Sequence, residues 1–437
     1  MAVTPPRDGR HGLRPISAFM VETAWPGVET VHRCDFMGLK GISNGVLRFT
    51  DVKVPVENLL WEEGKGLKLA LITLNTGRLS LPVFCAAAGK ACLEITRKWG
   101  AERVQWGQPV GKHDAIAQKI GRIAADTFAM EAAVELTSGM ADAHHFDIRL
   151  EAAIAKMWNT ERAWEMANDT LQIRGGRGYE THDSLRARGE APFPVERMVR
   201  DLRINLIFEG SSEIMRLFIA REAVDDHLSV VGAMVDPRAP MGKRLAALVR
   251  AGLHYAWWYP SRYLGWISWP RHSKYGPLAR HMRFVERTSR RLARAIFHAM
   301  MRFGPKLEKK QAVLGRIVEI GAELFMMTAA AVKARRMIEA DRSNRTPLTL
   351  ADLFCRHARR RVRDRFDELF DNEDNATYRV ARRALDGDLA WLEQGVVTHG
   401  RVPGPADRAG DDAGGRARRR ARRRAGQDRE RGSRRRL

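Results

Sequence analysis

The chain has 437 residues, 44% of them hydrophobic and 29% charged, with a formal net charge of +23; only the charge departs from a soluble globular protein of two or three domains. Four scattered cysteines, Cys34, Cys85, Cys92 and Cys355, form no C-x-x-C pair and argue against a disulfide framework or a zinc site. The longest apolar runs fall short of a membrane span and no signal-peptide layout opens the chain, so a cytoplasmic protein is expected.

Residues 1–14 are polar and rich in Gly and Pro, a disordered start. Over 15–62, Ile16 to Glu22, Val28 to Arg33 and Gly45 to Val54 read as strands of a partial antiparallel β-domain. So small a sheet seldom stands alone, and a truncated beginning is expected. From 63 to 232 the period turns helical: Gly66 to Trp99, Asp114 to Met140, Asp147 to Ile173 and Ser211 to His227 predict a four-helix bundle. The turns Gly107-Gln108-Pro109 and Gly175 to Gly178 interrupt it. Residues 240–398 read as a second helical domain, with Gly315 to Met337 its strongest helix. The tail, 399–437, holds 14 Arg against 5 acids, a net +9 without apolar periodicity, and is expected to be disordered. With so much of the excess in the tail, nucleic acid is not the expected partner. The fold class is therefore mainly α, with a partial β-domain in front.

The segment Asp169 to His227 carries the chemistry. It reads D-T-L-Q-I-R-G-G-R-G-Y, an insert at Glu180 to Glu190, then P-V-E-R, R-D and I-F-E-G-S-S-E-I. These blocks, in this order, resemble the flavin and active-site signature of the acyl-CoA dehydrogenases. The resemblance covers about residues 15 to 230, and 240–398 is similar to the extra domain of the very-long-chain branch. It implies FAD-dependent α,β-dehydrogenation of medium to very long fatty acyl-CoA thioesters. Electron-transfer flavoprotein would take the electrons, and a homo-oligomer is implied.

By that resemblance Glu209 is the catalytic base. An α-proton beside a thioester is weakly acidic, so a positioned carboxylate must remove it while the enolate-like charge is stabilised. The backbone N–H of Glu209 and a flavin ribityl hydroxyl are implied to hold the thioester carbonyl. Ile207 and Phe208 before Glu209 would supply an apolar setting. Some relatives carry the base on the first long helix, but no acid stands between Glu63 and Glu94. The competing reading of Glu209 is a helix-start acid favoured by the macrodipole.

Arg103 and Trp106, in R-V-Q-W-G, match an R-x-x-F-G element in which the Arg reaches the flavin pyrophosphate of a neighbouring subunit. A surface Arg and a core Trp are the plain alternatives. Gln172, Gly175 and Gly176 match the glycine turn at the adenine-diphosphate end, or simply end a helix. Ser211 and Glu213 match cofactor-touching positions, with a helix N-cap as an equal reading of Ser211. Arg78 lies where relatives keep an Arg near the CoA channel, or forms a structural salt bridge. The histidines show no metal-ligand spacing, so no metal is expected.

The family's amino-terminal helical domain and its T-E-x-x-x-G-S-D loop match nothing here, which implies truncation and a half-built flavin site. Residues 255–275 hold four of the six Tyr and four of the eleven Trp. They suit either a peripheral membrane contact or packing between helices. Two further readings stand beside the dehydrogenase. One is a catalytically silent relative that binds nucleic acid or a membrane through its basic carboxy-terminal half. The other is a flavin oxidase that passes electrons to oxygen.

Overall fold

A computed structural model describes residues 2–3, 15–143, 147–235, 240–264 and 272–395. Strands β1 (Ala2–Val3) and β5 (Leu59–Leu60) flank β2 (Ile16–Phe19), all antiparallel. Strands β3 (Val28–Cys34) and β4 (Asn44–Phe49) form a separate hairpin whose register slips between Thr30 and His32. Side chains alternate across a ladder, yet the neighbours Val46 and Leu47 are both exposed. The hairpin therefore has no apolar cover on either face among the described residues.

Helix α1 (Gly66–Glu102) differs between its halves. Leu67, Leu71 and Ile72 are half exposed, while Cys85, Cys92 and Ile95 are buried. The rear half packs against α2 (Asp114–Asp142) and α3 (Arg149–Arg174). Alanines at 125, 129, 132 and 133 on α2 and at 152, 153, 155, 163 and 167 on α3 are buried and let the axes approach closely. Contrary to the sequence expectation, α1 is long and apolar enough to cross a membrane by length and composition. The reason is local: its rear is apolar because neighbours surround it, and its front leaves Leu67, Leu71 and Ile72 half exposed among the described residues.

After α1 come a hairpin, β6 (Val104–Gln105) and β7 (Gln108–Pro109), and, beyond α3, the short helices α4 (Gly176–Tyr179), α5 (His182–Ala187) and α6 (Val195–Arg203). Helix α7 (Ser212–Val235) completes the bundle on α3. Four more follow: α8 (Met241–Leu264), α9 (Ala279–Phe303), α10 (Gln311–Ala340) and α11 (Thr346–Asp367). Helix α10 buries Val313, Ile317, Ile320, Met326, Met327 and Ala330, and packs on α2, α7, α9 and α11. The two expected helical blocks thus share one core as far as residue 372. Residues 1–372 form one compact unit, and a second, from Glu373, contains α12 (Asp374–Leu385).

Charged groups tie these layers. Lys333 of α10 pairs with Glu131, at 2.7 Å, and with Glu135 of α2. Arg361 of α11 grips Glu323 of α10 at 2.6 and 2.8 Å, and Trp158 of α3 donates to the same carboxylate at 3.1 Å. Tyr255, Trp258 and Tyr259 pack on Phe297, which supports inter-helix packing for that part of the aromatic segment. Residues 265–271 of it, most of the start and the Arg-rich tail lie outside the described residues.

Candidate active site

Helices α1 and α3 run side by side in the same direction, so each of their two ends gathers one group of the predicted residues. At the forward end Asn159 of α3 donates to the Pro82 carbonyl of α1 at 3.3 Å. At the rear Trp99 Nε1 donates to the Ile173 carbonyl at 3.1 Å.

The forward end holds Glu209, in the loop between a 3₁₀ turn (Ile204–Leu206) and α7. Its φ is +53°, followed by Gly210 at +98°. Two consecutive left-handed residues reverse the chain sharply, and for a side-chain-bearing residue that conformation costs about 1 kcal/mol. The reversal sets the carboxyl against α1. A methyl group on Gly77 would overlap Glu209 Oε2 and stand 2.8 Å from its Cδ, so any side chain there would push the carboxyl aside. Oε2 is buried and, among the described residues, no group donates to it. A carboxylate oxygen not engaged by donors stays available as a proton acceptor. Of the pair expected to give an apolar setting, Ile207 is 53% exposed while Phe208 is half-buried.

Arg78, one residue beyond Gly77, lies 4.9 Å from the Phe218 ring centroid of α7. Burial draws its guanidinium below its ordinary value, and Glu209 opposes that. Behind the loop, Lys156 of α3 is wholly buried (0% exposed). Its ammonium donates to the carbonyls of Asn205, Phe208 and Gly210 at 2.9, 3.2 and 2.7 Å. Burial pushes it below its ordinary value, with Glu209, Cys85 and Glu161 pulling upward. Sequence reading missed Gly77 and Lys156. For Lys156 the signal was present: one cation inside the otherwise buried apolar run Ala152 to Trp158.

Ser211 caps α7, its Oγ accepting from the Ile214 amide at 3.4 Å. The Glu213 carboxyl is held low by its own backbone N–H and by Ser211. The N-cap reading of Ser211 is therefore realised. The R-D block docks the β-segment: Asp201 accepts from the Leu39 amide at 2.6 Å and Arg200 donates to the Met37 carbonyl at 2.8 Å.

The rear end gathers the other predictions around Trp99. Arg103, Arg174 and Arg177 stand 5.9, 5.0 and 5.7 Å from its ring centroid. Trp106 and Gly107, with φ of +50° and +80°, make the two-residue loop of the β6–β7 hairpin. That loop leaves Trp106 87% exposed, so it is not a core residue. Gly175 ends α3 at φ +60° and ψ −136°, a conformation that favours glycine. Space is open where side chains on Gly175 or Gly176 would stand, and Gln172 is exposed beside them. Arg174 is buried, its Nε without a partner among the described residues, and burial lowers it from its ordinary value. The insert folds back as α5, with Arg177 donating to Glu190 at 2.8 Å and Arg188 to Glu180 at 2.7 Å. From Lys156 to Gln172 along α3 is about 24 Å.

The chain is similar to known proteins over most of its length. Residues 64–224 match the family model described as "Acyl-CoA dehydrogenase, C-terminal domain", and residues 277–385 the one described as "ACAD9/ACADV, C-terminal domain". The chain is 51% identical over 407 residues to the probable acyl-CoA dehydrogenase FadE10 of Mycobacterium tuberculosis, covering 93% of this chain and 62% of that protein. It is 29% identical over 378 residues to the very long-chain specific acyl-CoA dehydrogenase, mitochondrial, of Rattus norvegicus, covering 85% and 55%. A crystal structure of an acyl-CoA dehydrogenase complexed with FAD from Bacillus anthracis matches with a TM-score of 0.67 at 26% identity, over 85% of this chain and 62% of that one. The chain thus spans less than two thirds of the length of these relatives.

Proposed function

Because the chain belongs to the acyl-CoA dehydrogenase family, matching its carboxy-terminal part, we propose that it serves α,β-dehydrogenation of fatty acyl-CoA thioesters with Glu209 as the base. The observation that carries this reading is the Glu209 carboxyl, turned by a left-handed backbone against Gly77 with one buried oxygen accepting from no described donor. An oxygen so placed takes the α-proton directly, and the Glu209 backbone N–H receives the thioester carbonyl. Arg78 adds positive charge beside the carboxyl.

FAD, when bound, supplies the acceptor for the β-hydride. The rear end suits its diphosphate: a buried guanidinium nitrogen without an acceptor at Arg174, exposed glycines at 175 and 176, and Arg103 on the same Trp99. Arginine forks bind phosphate oxygens in pairs. Gln172 and the exposed Trp106 flank that surface, and Ser211 and Glu213 lie at the other end, beside the base. By the family resemblance, Arg103 would reach the flavin of a neighbouring subunit in a homo-oligomer. Electron-transfer flavoprotein would be the electron partner, and medium to very long acyl-CoA thioesters the substrates, of a cytoplasmic protein.

The test is anaerobic bleaching. The chain loaded with FAD should lose its yellow absorbance on adding a saturated long-chain acyl-CoA. Glu209→Gln should bind flavin normally and bleach about 10²- to 10⁴-fold more slowly. Bleaching at the unaltered rate in Glu209→Gln removes the carboxylate from the chemistry.

A further inference from the structure

Lys156 has a role that packing does not explain. It is wholly buried, and among the described residues no carboxylate forms an ion pair with it. Three ammonium protons are spent on three backbone carbonyls, those of Asn205, Phe208 and Gly210. Burying an ammonium among backbone dipoles is costly, and a well-packed apolar side chain of similar size is often as stable or more so. The three acceptors bracket Glu209. They belong to the stretch where the backbone passes from a 3₁₀ turn into two consecutive left-handed residues. No repeating ladder can hold such a stretch, because its carbonyls do not point along one axis.

We propose that Lys156 is the positioning residue for Glu209: its ammonium gathers the carbonyls of Asn205, Phe208 and Gly210 and locks the reversal that sets the carboxyl against Gly77. The inference rests on the reading of Glu209 as base, which gives the lock its purpose. Cys85 lies close enough for its thiol to feel the same ammonium. On its far side the Glu209 carboxyl meets Gly77 of α1, so without the ammonium the loop and its carboxyl shift relative to α1. The effect of losing it is misplacement of the base, not loss of substrate binding, and displacement by about 1 Å costs on the order of 10²-fold in rate.

The full chain tests this with Lys156→Met, which keeps the stem and removes the ammonium, and Lys156→Arg, which restores a cation with N–H donors. In Lys156→Met, hydrogen exchange over residues 204–212 should rise at least about tenfold while α2 and α10 stay protected. With FAD and a long-chain acyl-CoA, kcat should fall about 10²-fold with KM nearly unchanged. Lys156→Arg should recover part of both losses. Unchanged exchange over 204–212, or a rise spread evenly over the whole chain, overturns the proposal, and so does a change confined to KM. If Lys156→Met does not fold, the wild-type chain labelled with ¹⁵N-lysine decides. A slowly exchanging Nζ resonance at neutral pH, lost on unfolding, is expected, and its absence overturns the lock. Should Glu209→Gln keep full turnover, the reading of the base fails, yet exchange over 204–212 still reports whether the lock exists.

Discussion

The two ends of the α1–α3 pair are built on opposite terms. At the forward end a strained loop is held from behind, its carbonyls gathered by Lys156 and its carboxyl fitted against a glycine. At the rear end the backbone is open, with Gly175 and Gly176 facing free space and Arg103, Arg174 and Arg177 crowded on one tryptophan. The first arrangement fixes one atom in place. The second leaves positive charge and N–H groups waiting for something large and anionic. On the proposed function, precision belongs to the forward end and recognition to the rear, and substitutions at the two should fail in different ways.

The sharpest separation comes from Gly77→Ala. Its methyl group overlaps the Glu209 carboxyl, so turnover should drop about 10²-fold from displacement, while helix propensity raises stability by roughly 0.5–1 kcal/mol. A protein more stable yet nearly inactive, read by a melt and by flavin bleaching, is the expected outcome; full activity would mean the carboxyl is not held there.

At the rear end, Arg174→Met should weaken flavin binding about 10- to 100-fold by loss of a charge-assisted contact. Turnover at saturating flavin should barely change, and equilibrium dialysis with stopped-flow bleaching separates the two quantities. A fall in turnover with unaltered flavin affinity would erase the distinction between the ends.

Trp99→Phe keeps the ring for the arginines but loses the bond to the Ile173 carbonyl. A loss of about 1 kcal/mol is expected, visible as a small drop in Tm with slightly weaker flavin binding. The smallest effect is chemical. Burial pushes the Cys85 thiol up to about 12 and the Cys92 thiol up to about 11. The thiolate is the reactive form, so iodoacetamide at pH 8 should label partly exposed Cys34 and spare both. In Lys156→Met, labelling of Cys85 would report an opened forward end.

Much of this was legible in sequence. The helices at 66–102, 114–142, 149–174 and 311–340 follow apolar spacing closely, because a helix buried on one face must repeat every three or four residues. The block E-G-S-S-E-I located Glu209, and the glycine turn located Gly175 and Gly176. Lys156 stood out as a cation in an apolar run, but its partner and that of Gly77 were hidden: the two lie 53 and 132 positions before Glu209, and no local pattern records which residues meet across a bundle. The β-hairpin strands were found, but that neither face is covered among the described residues appeared only from exposure.

By itself the sequence determined which segments are helical, which acid stands in the family's signature block and where the basic tail begins, because periodicity and ordered motifs are local properties of the chain. Tertiary structure alone decided that Trp106 faces solvent, that the second group of helices shares its core with the first, and that a buried ammonium donates to three carbonyls of the loop around Glu209. Those are matters of which distant surfaces meet, set by the packing of α1, α3 and α10 rather than by any run of residues.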